Sequence, residues 1–248
     1  MNFDNKTLNR EIPIPLYYQL KEILLEEIKK ALPETPFPTE LELCKQFDIS
    51  RPTVRQAIQE LVIEGYLNRM KGKGTFIAGP KIKQDFLIVL KSFTEEMKEK
   101  GLVPTTKVLG LEKTVCDEKV STALAIPIGS EVAQLTRLRF ADNIPIVVVV
   151  TFLPLDKVPD ILSQDFENDS LYRILSEKYG YGIHSATRTL EARVADEEAE
   201  QLDMKRGEPI QFIQTIAYLD TGVPIEYSLA EYRGDKSEFT FELQKHTV

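Results

Sequence analysis

Residues 38–77 constrain the fold of this chain more than any other segment, because two short helical patterns lead directly into a glycine-punctuated hairpin. The first pattern begins with a capping box, in which the Thr39 side chain accepts from the backbone N–H of Glu42 and the Glu42 side chain reaches back to the cap. Residues 47–49 separate it from a second pattern, which ends at Gly65. The segment therefore predicts two consecutive helices followed by a pair of short strands.

The second helical pattern has one apolar and one polar side. Ser50 caps it, and Pro52 lies in its first turn, where no intrahelical N–H bond is lost. The apolar side contains Val54, Ala57, Ile58, Leu61 and Val62. The polar side contains Arg51, Arg55, Gln56 and Gln59, with Thr53 near the N-terminal end. This side is either a solvated surface or a DNA-reading one, since arginine binds guanine in bidentate fashion and threonine contacts phosphates or methyl groups.

The hairpin that follows is predicted to have strands at 66–70 and 75–78 and a tip at 71–74. Its glycines permit the positive φ values of a tight tip and let the backbone approach phosphate. The Gly-Lys-Gly-Thr sequence at the tip lacks the spacing of a Walker loop, so an ATP site is excluded. Two helices and a hairpin in this order are the layout of a winged helix-turn-helix, which favours the DNA-reading interpretation.

Several motifs in this region resemble the DNA-binding domain of GntR-family regulators. They are Leu16-Tyr17-Tyr18-Gln19-Leu20, Pro38-Thr39-Glu40, the run from 50 to 57, Leu61, the run from 64 to 67 and the run from 72 to 76. The DNA-contacting residues that this resemblance implies are Ser50, Arg51, Thr53, Arg55, Lys71 and Gly72. Ser50 would assist binding at a phosphate, and Lys71 and Gly72 at the hairpin tip would enter the minor groove. The family usually has arginine directly after its Pro-Ser-Glu triplet, whereas this chain has Leu41, a departure that bears on operator preference.

Composition excludes several other classes of protein. A chain of 248 residues can bury a sizeable core and is expected to contain two domains. No stretch approaches membrane-spanning length and the N-terminus lacks the apolar core of a signal peptide, so we expect a cytoplasmic protein without membrane contact. Cys44 and Cys116 lack partner spacing, and His184 and His246 are isolated, so no disulfide framework, metal site or cofactor is predicted.

The net charge of −8 is unevenly distributed along the chain. Residues 51–83 contain seven Lys/Arg against two Asp/Glu, a net charge of +5, whereas residues 84–248 contain 18 against 28, a net charge of −10. Positive charge is thus concentrated at the proposed groove-facing helix and hairpin, where phosphate neutralisation requires it. The acidic remainder is expected to stay off the DNA and to limit non-specific binding.

The second half of the chain contains an internal duplication. Landmarks in 115–146 recur in 194–225 at an offset of about 78–79 residues. Each copy predicts a strand, a short helix, a strand, a tight hairpin and a strand. The hairpin tips are Asp142-Asn143 and Asp220-Thr221-Gly222, and a further helix is predicted at 170–179. Two copies supply six mainly antiparallel strands with helices covering one face, which is an α+β fold.

These patterns predict a winged helix-turn-helix domain at 10–78, a linker at 79–85 and a second domain at 86–243. Residues 1–14 are expected to be loosely ordered. Within the second domain, a capping-box pattern at Ser92 and Glu95 starts a helix predicted at 93–100.

Arg137 and Arg139 lie two apart on a predicted strand, so both side chains leave the same face. Adjacent cations repel unless they are solvated or share an anion. The pair therefore lies either on an exposed sheet face or in a fork for a phosphate or carboxylate, which guanidinium groups bind in bidentate fashion.

Residues 86–243 resemble the effector-binding domain of the HutC branch of GntR regulators, which has a chorismate-lyase-like fold and dimerises. The matching landmarks are the runs 93–97, 136–139, 170–172, 224–228 and 232–235. In sugar-phosphate sensors of this branch, the phosphate is held at positions matching Ser92, Thr94, Arg137, Arg139 and Ser170. The sugar side is lined at positions matching Tyr172, Glu226 and Tyr232. A carboxylate and phenols can pair with hydroxyls or an amine.

One position departs from that pattern. Val149 stands where an amino-sugar-phosphate sensor carries a glutamate, and it belongs to a run of four valines at 147–150. The loss of this carboxylate argues against simply assuming an N-acetylglucosamine phosphate ligand. The alternative interpretation of the valine run is a buried strand.

Three functions compete for this chain. The leading hypothesis is a homodimeric transcription regulator, a repressor released from double-stranded operator DNA by a small anionic effector such as a sugar phosphate. The second is a constitutive DNA-binding dimer that senses nothing. The third is a lyase-like enzyme, for which the sequence offers no nucleophile–base pair, metal cluster or cofactor loop.

Overall fold

The computed structural model describes residues 1, 3, 6–33, 35–70, 74–79, 81–85, 87 and 89–241. The chain divides into two compact units, Met1–Ile82 and Lys83–Val248. The division falls inside the segment 79–85 that the sequence predicts as a linker. Among the described residues, no helix is both long enough and apolar enough to cross a membrane.

The described part of the first unit contains three helices and an antiparallel hairpin. In chain order they are α1 (Leu16–Ile28), α2 (Glu40–Phe47), α3 (Arg51–Ile63), β1 (Leu67–Met70) and β2 (Gly74–Ile77). The predicted capping box is present: Thr39 Oγ1 accepts from the backbone N of Glu42 at 3.3 Å, and the Glu42 carboxylate accepts from the backbone N of Thr39 at 2.7 Å. Asp48, with a φ of 49°, ends α2 in the left-handed region and turns the chain into α3.

The core of the first unit lies between the helices and the hairpin. Leu20 and Leu24 of α1 and Leu61 of α3 are fully buried, and the predicted apolar side of α3 faces them. The extended segment before α2 also joins the hairpin, because the backbone N of Phe37 donates to the carbonyl of Thr75 at 2.8 Å. The start of α2 is therefore held beside β2.

The N-terminal residues differ from their expected loose order. Phe3 is buried and packs edge-to-face against Phe47, with ring centroids 5.6 Å apart. Arg10 donates to the carbonyl oxygen of Asp48 at 2.6 Å. An apolar contact therefore holds Phe3, and a hydrogen bond holds Arg10, at the turn between α2 and α3, an effect that polar composition alone does not reveal.

From the linker onward, the described strands are β3 (Ile82–Gln84), β4 (Pro104–Val115), β5 (Glu131–Ala141), β6 (Ile144–Pro154), β7 (Ser185–Val194), β8 (Pro209–Tyr218), β9 (Pro224–Arg233) and β10 (Ser237–Phe239). The helices are α4 (Phe93–Glu99), α5 (Glu118–Leu124) and α6 (Leu171–Tyr179), with short 3₁₀ helices η1 (Ile161–Ser163) and η2 (Glu197–Leu202). Six strands form an antiparallel sheet in the order β4-β5-β6-β9-β8-β7, and β3 pairs with β10.

The duplication predicted from the sequence is confirmed by this topology. One copy runs β4, α5, β5, β6 and the other runs β7, η2, β8, β9, with β6 and β9 paired at the centre. Both predicted hairpin tips adopt positive φ values, at Asp142 (49°), Asn143 (64°) and Gly222 (77°). The sheet thus repeats one supersecondary unit on either side of its middle.

The prediction that helices cover one face of the sheet is wrong. Val132 and Ala133 on β5 are adjacent and both fully buried, although their side chains leave opposite faces. Val132 packs in a cluster with α5, whereas Ala133 packs in a cluster with α6. The sheet is therefore covered on both sides at this end of β5, which a period-two pattern with one polar face would not produce.

Candidate DNA-reading surface and effector cavity

The N-terminal end of α3 presents a hydroxyl pair. Ser50 caps the helix by accepting from the backbone N of Thr53, and the two side-chain oxygens lie 2.7 Å apart. The cap satisfies one orphan N–H group of the first turn and holds the predicted phosphate-contacting Ser50 next to Thr53.

Arg51, Arg55 and Arg69 converge on the carboxylate of Glu40; we call these three the arginine cluster. Arg51 Nε donates to Glu40 Oε2 at 2.8 Å, and Arg55 donates through Nε at 3.3 Å and Nη2 at 3.2 Å. Arg69, on β1, donates to Glu40 Oε1 at 3.3 Å. Hydrogen bonds from Arg55, and then from Arg51, hold the pKa of the Glu40 carboxyl below its usual range. The carboxylate is thus charged at neutral pH and orders cations from both α3 and the hairpin.

The other predicted DNA contacts are less completely placed. Lys71 and Gly72, at the hairpin tip, lie outside the described residues. Leu41, at the position where the resemblance to GntR regulators predicts an arginine, is 61% exposed on α2 next to Glu40. The chain therefore presents an apolar side chain to solvent at this position.

A second candidate site is a small cavity in the second unit, about 90 Å³ in volume, between the sheet and the helices α4 and α6. We call it the sheet cavity. Its lining residues are Lys91, Ser92, Phe93, Arg137, Arg139, Val147, Val149, Leu171, Tyr172, Arg188, Ile213, Thr215, Glu226, Ser228, Ala230 and Tyr232. Strand register explains why three of these residues are neighbours, because Val149 pairs with Arg137 on β5 and with Ala230 on β9.

Arg139 is held against α4. Its Nη2 donates to Thr94 Oγ1 at 2.9 Å, and its guanidinium lies 4.6 Å from the centre of the Phe93 ring. The side chain is only 7% exposed. Burial, and then the neighbouring charge of Arg137, lower the pKa of Arg139 to about 9. The residue nevertheless carries its charge at neutral pH, so a desolvated cation faces the cavity.

Arg137 is 3% exposed, and its hydrogen bond to Thr151 is weak, with Nη2 lying 3.5 Å from Oγ1. Within the described part of the chain, its Nε and Nη1 and the Nε of Arg139 are buried without a hydrogen-bond partner. Burial lowers the pKa of Arg137, and the carboxylate of Glu226 opposes that shift. The pair therefore does not lie on an exposed sheet face, which was one of the two alternatives that its spacing in the sequence allowed.

Glu226 lines the sheet cavity together with the arginines and is 5% exposed. Burial raises the pKa of its carboxyl, while Arg137 and the hydroxyls of Tyr172 and Ser228 oppose that shift. Among the described residues, its Oε2 atom is buried without a hydrogen-bond partner. Burial also raises the pKa of the Tyr172 and Tyr232 phenols, so both remain neutral donors. The cavity therefore offers an acceptor and phenolic donors close to strong cations.

Most of the effector-binding residues predicted from the sequence meet here. Six of the eight line the cavity: Ser92, Arg137, Arg139, Tyr172, Glu226 and Tyr232. Thr94 is not among the lining residues, but its hydroxyl accepts a hydrogen bond from Arg139, which is. Ser170 is the N-cap of α6, where its Oγ accepts from the backbone N of Arg173 at 3.2 Å, and it is not among the lining residues. The Ser92 hydroxyl is likewise engaged in the capping box of α4.

Sequence reasoning missed Arg188 and Lys91. Arg188, on β7, pairs in register with Thr215 and interacts with Tyr172 and Glu226. The period-two pattern that puts Arg188 on the same face as Ala186 and Leu190 was the available signal, since a cation between apolar residues is unusual. Lys91 precedes α4 and carried no such signal. No group of His, Cys, Asp or Glu that could hold a metal ion occurs within the described ranges.

Comparison with known proteins defines the class. Residues 16–77 match the family "Bacterial regulatory proteins, gntR family", and residues 99–238 match the UTRA domain. The chain therefore belongs to the GntR family and has the winged-helix-plus-UTRA architecture of its HutC branch. It is a DNA-binding transcription regulator rather than an enzyme.

Particular relatives resemble the chain over nearly its whole length. It is 35% identical over 241 residues to the HTH-type transcriptional repressor NagR of Bacillus subtilis (strain 168). The matched region covers 96% of this chain and 98% of that protein. It is 31% identical over 239 residues to the probable fructoselysine utilization operon transcriptional repressor of Escherichia coli (strain K12), with coverages of 93% and 96%. Among solved structures, PhnF from Mycobacterium smegmatis matches with a TM-score of 0.65 at 28% identity, covering 90% of this chain and 98% of that one.

Proposed function

We propose that this chain is a transcriptional repressor that binds operator DNA through α3 and the hairpin and is released by a small anion in the sheet cavity. The observation that carries the effector proposal is the burial of Arg137 and Arg139 with guanidinium nitrogens that lack partners. Buried cations are costly unless they are paired and hydrogen-bonded. An anionic ligand supplies both the charge and the acceptors.

The lining chemistry supports a phosphate as that anion. Arg137, Arg139 and Arg188 outnumber the single carboxylate of Glu226 in the cavity. Guanidinium groups bind phosphate oxygens through several N–H groups at once. The hydroxyl and phenol groups beside Glu226 suit a polar remainder such as a sugar. A sugar phosphate is therefore the ligand class that we favour.

Val149 narrows the range of sugar phosphates that this proposal favours. It lines the cavity between Arg137 and Ala230, so an apolar surface stands where some sensors of this branch have a carboxylate. Glu226 is left as the acceptor for a ligand hydroxyl or amine. The names of two relatives refer to use of fructoselysine and of histidine, which supports metabolites that carry a sugar or an amino group.

Ligand-induced thermal stabilisation of the full chain tests the effector proposal. The panel contains inorganic phosphate, glucose 6-phosphate, glucosamine 6-phosphate and the two unphosphorylated sugars. We expect a phosphorylated sugar to raise the melting temperature by about 5 °C at a concentration 100-fold above its Kd, and the neutral sugars to have no effect. Lack of stabilisation by every anion would favour the constitutive dimer over the sensor.

Operator release is tested separately. The full chain is used to select an operator from random double-stranded DNA, and the stabilising ligand is then titrated into the protein–DNA complex. We expect release of the DNA, and the operator must weaken ligand binding by the same factor because the coupling is reciprocal. Tighter DNA binding in the presence of ligand would contradict repression relieved by the effector.

We also propose that the chain forms a homodimer through the sheet face opposite the cavity, as paired half-sites in DNA require. A groove of about 1040 Å³ lies between α5 and η2 on that face. Val150, Ile216 and Leu229 line it and are only half-buried. Sedimentation of Val150→Asp should show a monomer, whereas Ile128→Asp, at a turn residue 68% exposed, should remain dimeric. A dimeric Val150→Asp protein would place the interface elsewhere.

A further inference from the structure

Glu40 divides the hydrogen-bonding capacity of the arginine cluster unequally. Arg51 uses Nε for its contact with Glu40, and its two terminal nitrogens make no hydrogen bond among the described residues. Arg55 uses both Nε and Nη2, so that Nη1 is the nitrogen without a hydrogen bond among the described residues. Two arginines one helical turn apart on α3 are thus presented to solvent with different donor sets.

We propose that Glu40 is a positioning residue that sets the sequence specificity of the DNA-reading surface. It holds Arg51 with the terminal fork free for the O6 and N7 atoms of a guanine, and it holds Arg55 and Arg69 so that their remaining donors meet phosphates. This inference rests on the proposed function, because it requires that α3 reads operator DNA.

The local structure fixes Glu40 before DNA arrives. Glu40 is the first residue of α2, directly after the Thr39 cap, and its side chain is only 16% exposed. The backbone bond from Phe37 to Thr75 holds the same segment against the hairpin that carries Arg69. The carboxylate therefore has a fixed position relative to both α3 and β1, and it can restrict long side chains on either element.

Such a restriction improves specific binding. An arginine side chain loses much rotamer freedom when it binds a base edge, and less is lost when its orientation is already set. Arg51 and Arg55 have side chains that are 58% and 54% exposed, so packing alone does not orient them. Ordering by Glu40 helps only when the correct base stands opposite the fork, because a mismatched base edge cannot use it.

The charge of Glu40 acts in the opposite direction on non-specific binding. Non-specific affinity comes from phosphate neutralisation, and a carboxylate beside three arginines lowers the local positive potential for every DNA sequence. Glu40 therefore weakens non-specific binding while its net effect on operator binding is favourable. Removal of the carboxylate should lower the affinity for the operator without lowering the affinity for other DNA, which neither a folding defect nor a simple field effect does.

Glu42 provides a matched control. It lies on the same first turn of α2 but its carboxylate is engaged with Thr39, and none of its hydrogen bonds involves an arginine. Glu42→Gln removes one negative charge from this turn and keeps a side chain that can complete a capping box. Glu40→Gln removes the same charge from a side chain of equal length that does contact the arginine cluster.

The test compares the wild-type full chain, Glu40→Gln and Glu42→Gln by fluorescence anisotropy, without effector. One probe is the operator selected from random duplex DNA, and the other is the same duplex with both half-sites scrambled. We expect Glu40→Gln to bind the operator about tenfold more weakly and the scrambled duplex as tightly as the wild-type chain or more so. Glu42→Gln should shift both affinities equally and leave their ratio unchanged.

A third variant, Glu40→Asp, keeps the charge and shortens the reach to the arginines. It should weaken operator binding about threefold and leave the scrambled duplex unaffected, and its thermal melt shows that α2 still folds. The positioning role would be overturned if the ratio of operator affinity to scrambled-duplex affinity in Glu40→Gln were within twofold of the wild-type ratio. A wild-type chain that selects no sequence would overturn the proposed function itself.

Discussion

The two units of this molecule use arginine in opposite environments. In the first unit, Arg51 and Arg55 are more than half exposed and share the carboxylate of Glu40. In the second, Arg137 and Arg139 are 3% and 7% exposed, and nitrogen atoms of both are buried without partners. One pair is solvated and oriented, whereas the other is desolvated and incompletely satisfied.

The difference follows from the size and charge of the partner that we propose for each pair. DNA is an extended polyanion, so its arginines can stay in water and gain affinity by releasing counterions. A small effector offers one charged group, and a low-dielectric cavity strengthens each contact with it. Exposed arginines are therefore inexpensive to maintain, while buried ones reduce the stability of the ligand-free protein.

The largest expected effect concerns the exposed arginines. The double substitution Arg51→Ala and Arg55→Ala should weaken operator binding by about 100-fold or more and reduce the slope of log affinity against log salt by about 2. Anisotropy titrations between about 50 and 200 mM salt measure both quantities. Arg173→Ala, which removes an exposed α6 arginine paired with Asp169, is the control and should bind normally. Normal operator binding by the double variant would contradict the proposal that α3 reads the DNA through Arg51 and Arg55.

The buried arginines should behave in reverse. Arg139→Met is expected to abolish stabilisation by the phosphorylated sugar and to raise the melting temperature of the ligand-free chain by about 2–4 °C. The matched control is Arg233→Met, because the side chain of Arg233 is 12% exposed and makes a two-bond contact with Asp235 at 2.9 and 2.8 Å. That control should melt at a lower temperature, since it removes both hydrogen bonds from Arg233 to the partly buried Asp235 carboxylate. A lower melting temperature for Arg139→Met as well would mean that the cavity arginine is satisfied without ligand.

A smaller effect separates the proposed binding of the phosphate group from the proposed binding of the sugar. Glu226→Gln should weaken binding of glucosamine 6-phosphate about tenfold, because an acceptor for its hydroxyl or amine loses its charge. Binding of inorganic phosphate should be unchanged or tighter, since a negative charge near Arg137 is removed. Calorimetric titration of both ligands measures the contrast. Equal losses for the two ligands would place Glu226 at the phosphate instead.

The same substitution has a pH dependence whose sign is set by burial. The pKa of Glu226 is raised above its usual 4.5, so the folded chain holds this proton more tightly than the unfolded chain does. The stability of the wild type relative to Glu226→Gln is therefore greatest at low pH and is lost as pH rises through the raised pKa. Melting curves of both proteins from about pH 5 to pH 8 check this, and a constant difference would contradict it.

The smallest expected effect concerns the scaffold under the exposed arginines. Thr39→Ala should lower the unfolding free energy of the first unit by about 1 kcal/mol through loss of the cap of α2. Hydrogen bonds from the Thr39 backbone and then from its hydroxyl lower the pKa of Glu42, and Thr39→Ala removes only the second. The part of the effect that comes from the hydroxyl bond is therefore present above Glu42's usual 4.5 and is lost as pH falls through the lowered value. Chemical denaturation at neutral and acidic pH measures the effect. An unchanged denaturation midpoint would show that the bond from Phe37 to Thr75 suffices to hold α2.

Local features of this chain were predictable because they depend on neighbours in sequence. The caps at Thr39, Ser50 and Ser92 and the hairpin tip at Asp142-Asn143 are present as predicted. Each arises from hydrogen bonds or dihedral preferences within about four residues. The duplication was readable for the same reason, since each copy repeats the same local signals.

Features that depend on distant elements were missed or left open. The shared face of Arg137 and Arg139 followed from the strand period, but their burial depends on α4, which supplies Thr94 and Phe93 from about 45 residues away. Arg188 reaches the cavity from β7 at the far edge of the sheet. Helices were expected on one face because the alternation of β5 does not show that α5 and α6 pack on opposite sides.

The sequence by itself determined the order of elements, the helix caps, the duplicated half and the residue types available for binding, because these are set by short-range sterics and hydrogen bonds. The tertiary structure decided how those residues are used. It joined Arg51, Arg55 and Arg69 through one carboxylate, and it enclosed Arg137 and Arg139 with Glu226 away from water. The charge of an arginine is encoded locally, whereas its solvation and its partners are set by chain segments that only folding brings together.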